Sequence, residues 1–264
     1  MSRRIDLLRL DYAFSVLVPC LMAIYINNLP ILHHLDLLTG FLLYAVTGNT
    51  LNDVIDMRDP DEIETLKRVK GYHWKEILAI AAISFLFGTT MFVRTFQEHP
   101  INILYLTLTV GMVILYCFKK DVPILNQILL GASHVFFPYI MIKTDANMPS
   151  FSSEEWILMV TFFFYAFSGQ VVHEIIDGDA ITKFSPRTQQ FTVILSSIIT
   201  IIMGFLTVWL LDDIYFIPIA LIPLGSIYTF RKPTESTQGV KDVGIVLGNV
   251  LLVYFFVLIL TQGY

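Results

Sequence analysis

Charge is scarce in this chain: of 264 residues only 15% are Asp, Glu, Lys or Arg, while 55% are hydrophobic and the mean hydropathy is +0.68. A soluble domain does not need that much apolar side chain, so the composition excludes the ordinary globular class. Cysteine is scarcer still. Cys20 and Cys117 fall in separate apolar stretches and form neither a CxxC pair nor a secreted disulfide pattern, so both read as small buried hydrophobes. Long polar connections are missing as well. The two longest, roughly Asp56 to Glu76 and Asp177 to Gln190, are too short to bury a core of their own, and residues 1–264 are expected to form a single transmembrane domain. There is no EF-hand spacing, no zinc or iron ligand pattern of His and Cys, and no expectation of a nucleic-acid partner.

What is there is a succession of apolar runs. Nine can be delimited: Leu10 to Asn27, Leu37 to Ile55, Ile77 to Phe96, Ile101 to Phe118, Val122 to Ile142, Glu155 to Ile176, Phe191 to Leu210, Ile214 to Phe230 and Val243 to Leu260. Each approaches the roughly 20 residues that a helix needs to cross a hydrocarbon core about 30 Å thick. The expected fold is therefore all-α, a polytopic membrane protein with nine transmembrane helices in one bundle around a central cavity and a cytoplasmic N-terminus. The first run follows a basic N-terminus, but it is long and lacks a small-residue cleavage site, so it reads as a span rather than a signal peptide.

The distribution of Lys and Arg tests this count without using hydropathy, because positive side chains gather in cytoplasmic loops. With the N-terminus inside, Arg3, Arg4, Arg9, Arg58, Lys67, Arg68, Lys70, Lys75, Lys119, Lys120, Lys183, Arg187, Arg231, Lys232 and Lys241 all fall on the inner side. Only Arg94 and Lys143 fall outside. A wrong count would flip the later loops and scramble that asymmetry. The C-terminus is then outside.

Two inner connections carry the acidic residues. The first reads Asn49-Thr-Leu-Asn52-Asp53-Val-Ile-Asp56-Met-Arg58-Asp59-Pro60-Asp61-Glu62. Asn49, Asn52, Asp53 and Asp56 are three or four apart in overlapping pairs, which puts them on one helical face, and Pro60 predicts a helix end before it. The second reads Gln170-Val-Val-His173-Glu174-Ile-Ile-Asp177-Gly178-Asp179, with Glu174 and Asp177 again one turn apart. Both clusters close an even-numbered span, so both lie on the same side of the membrane. Carboxylates at this density repel one another unless a cation joins them, and their hard oxygen ligands suit Mg2+, which prefers one or two carboxylates together with substrate phosphates. Asn49 and Gln170 are placed to orient the carboxylates or a diphosphate by hydrogen bonds.

With these two signatures in this topology the chain resembles the UbiA superfamily of intramembrane prenyltransferases. Asn52, Asp53 and Asp56 match the opening of that family's first signature. Glu174, Asp177, Asp179, Lys183, Arg187 and Thr188 fall where its second signature lies. Arg68 and Gly71 resemble the loop after the first signature, and Tyr116, Lys119, Lys120 and Asn126 resemble the segment between helices four and five. There are departures: Pro60 stands where the family usually has a third aspartate, leaving Asp59 or Asp61 for that role. His173 replaces a frequent Arg, and Asp177 to Asp179 is a tighter interval than usual.

The resemblance implies transfer of an isoprenyl group from farnesyl, geranylgeranyl or a longer prenyl diphosphate to a lipid, a quinone precursor or another small acceptor. It implies Asp53, Asp56, Asp59 or Asp61, Glu174, Asp177 and Asp179 as Mg2+ ligands, with Asp53, Asp56, Glu174 and Asp177 the catalytic core. Arg68, Lys119, Lys120 and Lys183 are the implied diphosphate clamps, and Asn49, Asn52 and Gln170 their polar neighbours. Phe162, Phe163, Phe164, Tyr165 and Phe167 are candidates to steady an allylic cation, and His134 is a candidate polar residue of the cavity. The compact loops fit a prokaryotic plasma-membrane enzyme with its site facing the cytoplasm. A membrane terpene cyclase, and a transporter or non-catalytic scaffold, are the alternatives. Topology is checked by single cysteines in a background without Cys20 and Cys117. Ser150→Cys should react with an impermeant maleimide on intact cells and Lys70→Cys only after permeabilisation; the reverse pattern contradicts the orientation.

Overall fold

The computed structural model describes residues 4–60, 62–119, 122–178, 180–231 and 238–262. The described residues are 85% helical, and no strand occurs among them. In chain order the α-helices are α1 (Phe14–Ile26), α2 (Leu35–Asp56), α3 (Ile63–Arg68), α4 (Trp74–Met91), α5 (Val93–Glu98), α6 (Ile101–Phe118), α7 (Leu125–Gly131), α8 (Phe137–Asp145), α9 (Ser153–Asp177), α10 (Pro186–Leu211), α11 (Ile217–Leu221), α12 (Pro223–Phe230) and α13 (Gln238–Gln262). Two 3-10 turns, Arg4–Leu8 and Leu10–Tyr12, lead into α1, and a π-turn at Ala132–Phe136 joins α7 to α8.

Among the described residues eight helical segments are long and apolar enough to cross a bilayer: Asp6–Ile26, Ile31–Asp56, Trp74–Met91, Ile101–Phe118, Leu125–Asp145, Ser153–Asp177, Pro186–Leu211 and Val243–Gln262. The ninth run expected from hydropathy, Ile214–Phe230, is a shorter apolar helix. Pro218 and Pro223 divide it into a 3-10 turn, α11 and α12, since proline removes a backbone donor and restricts the residue before it. Its ends nevertheless meet different ends of α10. Asp213 beside its start receives the Tyr25 hydroxyl at 2.9 Å, and its last carbonyl, on Phe230, accepts from Gln190 Nε2 at 2.7 Å.

Small residues let helices approach closely where polar side chains then pair. A Cβ on Gly204 would lie 2.7 Å from the Ala220 Cα, which seats α11 directly on α10. Thr161 and Thr207 hydroxyls meet at 2.8 Å between α9 and α10, and Tyr44 and Thr89 hydroxyls at 2.8 Å between α2 and α4. Such contacts are the ordinary cement of helices in lipid, where apolar burial alone does not discriminate one neighbour from another.

The far ends of α1, α2 and α8 and the start of α9 are tied by buried charge. Lys143 Nζ donates to both oxygens of Glu155, at 2.6 and 2.5 Å, and to the Ser150 carbonyl. Glu155 also accepts the Tyr139 hydroxyl at 2.8 Å and Asn27 Nδ2 at 3.0 Å. Nearby, Arg94 bridges Asp36, Glu98 and Asp145, and His34 Nδ1 lies 2.8 Å from Asp145 Oδ2. Arg94 and Lys143 are thus the two cations that depart from the charge asymmetry of the sequence, and both are neutralised in place. Lys143→Ala should lower stability by about 3 to 5 kcal/mol, because it strands a buried carboxylate. Lys143→Met with Glu155→Gln should recover more than half of that loss in thermal unfolding; a double variant no more stable than the single one contradicts this account.

Candidate functional site

The opposite ends of these helices hold both acidic clusters. The 22-residue α2 carries the first on its final two turns and ends at Asp56, four residues before Pro60. Asp53 has no exposed surface, and Arg68 from α3 grips it with two hydrogen bonds, Nε to Oδ2 at 3.0 Å and Nη2 to Oδ1 at 2.7 Å. Burial alone disfavours the Arg68 charge, but the hydrogen bonds and the charge of Asp53 outweigh it, so its pKa lies above the ordinary guanidinium value. Asp56, also buried, accepts Asn52 Nδ2 at 2.6 Å, while Asn52 Oδ1 is buried without a hydrogen-bond partner. Gly71 follows in the loop with φ +92°, a conformation that side-chain-bearing residues avoid. Asp59 is exposed, and Asp61 lies outside the described residues.

The second cluster closes α9, which ends on Gly178 in the left-handed conformation. Glu174 is completely buried and accepts Asn126 Nδ2 at 3.1 Å, which joins α9 to the start of α7. Asp177 Oδ2 lies 2.8 Å from His173 Nδ1, an ion-pair distance without hydrogen-bond alignment. Gln170 is half-buried one turn earlier. Lys119 and Lys183 are exposed at the adjoining helix ends; Lys120 and Asp179 lie outside the described residues.

A short N-terminal segment, Arg9 to Tyr12, connects the two clusters. Arg9 Nη1 stands 3.7 Å from Asp53 Oδ1, and the guanidinium covers the Tyr12 ring at 4.4 Å. The Tyr12 hydroxyl in turn meets His173 Nε2 at 3.4 Å. Asn49 Nδ2 donates to the Arg9 carbonyl at 3.4 Å, and Asn249 Nδ2 donates to the Asp11 carbonyl at 2.7 Å. Arg9 has a left-handed backbone, φ 46°, in the segment leading into α1. Sequence reasoning placed Arg9 among inner-side charges and gave Tyr12 no role. No local signal marks either one, because their partners are 44 and 161 positions away.

Comparison with known proteins gives no match to a family model, a curated protein or a solved structure.

The two clusters lie at the same helix ends, yet among the described residues they do not form a ready-made cage. Among the described residues the group of His, Cys, Asp or Glu whose ligand atoms lie within 4.8 Å of one another is Glu98, His99 and Asp145, at the far end. There Arg94 already compensates both carboxylates. At the clustered end the donors are oxygens of Asp53, Asp56, Glu174 and Asp177 plus the spare Oδ1 of Asn52. Carboxylate and amide oxygens are the ligand type that hard divalent cations take.

The residues singled out for the apolar cavity separate into different surroundings. Phe163 packs on Phe136 and over Gly131, and Phe162 is buried in the core beside Tyr165. His134 lies in the π-turn with Nδ1 2.9 Å from the Ser133 hydroxyl.

Proposed function

We propose that this protein is a Mg2+-dependent intramembrane prenyltransferase of the UbiA type. In this reading nine spans form a single bundle around a central cavity, with Ile214–Phe230 as a short, proline-broken crossing. The N-terminus and the acidic clusters face the cytoplasm of a prokaryotic cell, and the protein resides in the plasma membrane. The observation that carries the reading is the link through Arg9 and Tyr12, which ties Asp53 of one cluster to His173 and Asp177 of the other. Acidic side chains in a bilayer protein are costly and usually face a cavity or a partner.

Asp53, Asp56, Glu174 and Asp177 would hold the cation, and Asp59 stands at the rim. When bound, magnesium supplies positive charge to the diphosphate that leaves as the allylic carbon–oxygen bond breaks. Arg68 and Arg9 are placed to receive diphosphate oxygens, since a guanidinium offers a planar fork of donors. Lys119 and Lys183, on exposed helix ends of the same side, supply further positive charge. Asn126 fixes Glu174, and Asn52 fixes Asp56, so both carboxylates are oriented before any ligand arrives. The prenyl chain would lie among the apolar spans, and the acceptor, a lipid, a quinone precursor or another small molecule, would meet the allylic carbon there.

Incubation with farnesyl or geranylgeranyl diphosphate, Mg2+ and an acceptor panel, read by product mass, tests the reading. A prenylated acceptor supports it; a hydrocarbon formed without acceptor assigns a cyclase instead; an inert protein refutes both. Asp177→Asn, at a partly exposed site, should cut Mg2+-dependent diphosphate release by about 100-fold or more while gel filtration stays unchanged. Asp53→Asn should cut it at least as far and should also lower stability, because it leaves Arg68 without its carboxylate partner. Unaltered turnover in both removes the site assignment.

A further inference from the structure

We propose that Asp213, at the helix ends remote from the acidic clusters, is the centre of a binding site for an organic ammonium group. A cavity of about 430 Å³ opens there, and Tyr25, Ile26, Leu211, Asp213, Phe216 and Gln262 contribute to its lining. Ile26, Leu211 and Gln262 are the last residues of three segments long and apolar enough to cross a bilayer, Asp6–Ile26, Pro186–Leu211 and Val243–Gln262. The cavity therefore lies at the level where hydrocarbon gives way to head groups. Trp209 and Tyr215, close to Asp213 in the chain and 75% and 44% exposed, are of the residue types that collect at that boundary.

The lining offers oxygens and no cation. Asp213 Oδ2 accepts the Tyr25 hydroxyl and Oδ1 accepts the Tyr215 backbone N–H, both at 2.9 Å, so the carboxylate is held in one orientation. Gln262 Nε2 donates to the Tyr25 oxygen at 3.1 Å, and Gln262 Oε1 is a further acceptor. Among the described residues Asp213 has no ion-pair partner. The two cations at these helix ends are already engaged, Arg94 with Asp36, Glu98 and Asp145, and Lys143 with Glu155. Asp36, Glu98, Asp145, Glu154, Glu155, Asp212 and Asp213 thus stand against two cations, a formal excess of five negative charges with His33, His34 and His99 neutral. A field of that sign concentrates cations at this end of the molecule.

The size of the cavity and the donor set decide which cation. Asp213 belongs to no group of His, Cys, Asp or Glu close enough to share a metal ion among the described residues. The volume also far exceeds the ~30 Å³ share of one water, and it falls within the roughly 300 to 1,000 Å³ of small-molecule sites. A primary ammonium carries three N–H donors, which match Asp213, the Tyr25 oxygen and Gln262 Oε1. Tyr25 and Phe216, with ring centroids 5.8 Å apart, add aromatic surface that attracts a cation. Ligands of net negative charge are repelled by Asp212 and Asp213.

Thermal unfolding of the full chain in detergent tests the site, at constant ionic strength, with ethanolamine, phosphatidylethanolamine, phosphatidylglycerol or sodium chloride alone. An amine should raise the Tm by several degrees, and phosphatidylglycerol or sodium by less than about 1 °C, since only a ligand bound to the folded state stabilises it. A response to ethanolamine supports a site for the ammonium group itself, and a response to phosphatidylethanolamine alone supports a site for the lipid head group. Asp213→Asn retains the cap on Tyr215, because Asn caps as well as Asp, yet it loses the charge. It should weaken amine binding about tenfold or more, the worth of a hydrogen bond to a charged group. Asp212→Asn, at an exposed position, should change it by less than about twofold. Gln262→Leu should weaken it by a smaller factor than Asp213→Asn and serves if that variant does not fold. No shift with either amine, an equal shift with sodium or phosphatidylglycerol, or native affinity in the Asp213 and Gln262 variants that fold overturns the proposal. Each of these outcomes leaves the prenyl-transfer reading untouched, because its residues lie at the other helix ends.

Discussion

A charge removed from water must be matched, and in this protein that requirement decides where the helices are joined. Asp53 is matched by Arg68, Glu155 by Lys143, and Asp145 by Arg94 and His34. Between those points the helices meet through apolar side chains and single hydroxyl contacts, which specify a neighbour only weakly in lipid. The ion pairs are strong constraints for the opposite reason: any other docking would strand a charge. The described helices are therefore pinned at two ends by polar side chains.

The two ends are built differently. At the far end Glu155 has four kinds of donor around it and Arg94 spreads over three carboxylates, although Asp145 Oδ1 and Asn102 Oδ1 are buried there without hydrogen-bond partners. Such a knot holds α1, α2, α5, α8 and α9 together and has few donors left over. At the clustered end, Asn52 Oδ1 and Arg9 Nε are buried without hydrogen-bond partners, and Arg9 and Tyr12 link the acidic groups of α2 and α9.

Hydropathy made eight of the helical segments legible, because roughly twenty apolar residues in a row have few other uses. It placed the segment 214–230 correctly in sequence but could not show that Pro218 and Pro223 break it into short pieces. The far end of the α4 run was likewise read as one helix to Phe96, whereas the chain turns at Phe92 and resumes as α5. Helical spacing put Asp53 beside Asp56 and Glu174 beside Asp177, since i, i+3 and i+4 relations are local. The partners were not legible. Arg68 for Asp53, Asn126 for Glu174 and Tyr12 for His173 are tertiary contacts, and one sequence carries no record of which distant residue meets which. For the same reason Arg94 and Lys143 looked like exceptions to a charge rule until their carboxylate partners were in view.

The central claim is that the two carboxylate clusters hold a divalent cation together with a prenyl diphosphate. Crystals grown with Mn2+ and an unreactive thiolodiphosphate, measured for anomalous scattering, address it directly. The account predicts manganese peaks within ligand distance of both the Asp53–Asp56 and the Glu174–Asp177 carboxylates, with thiolodiphosphate density between them. Peaks only at Glu98, His99 and Asp145, or at one cluster without the other, would contradict it.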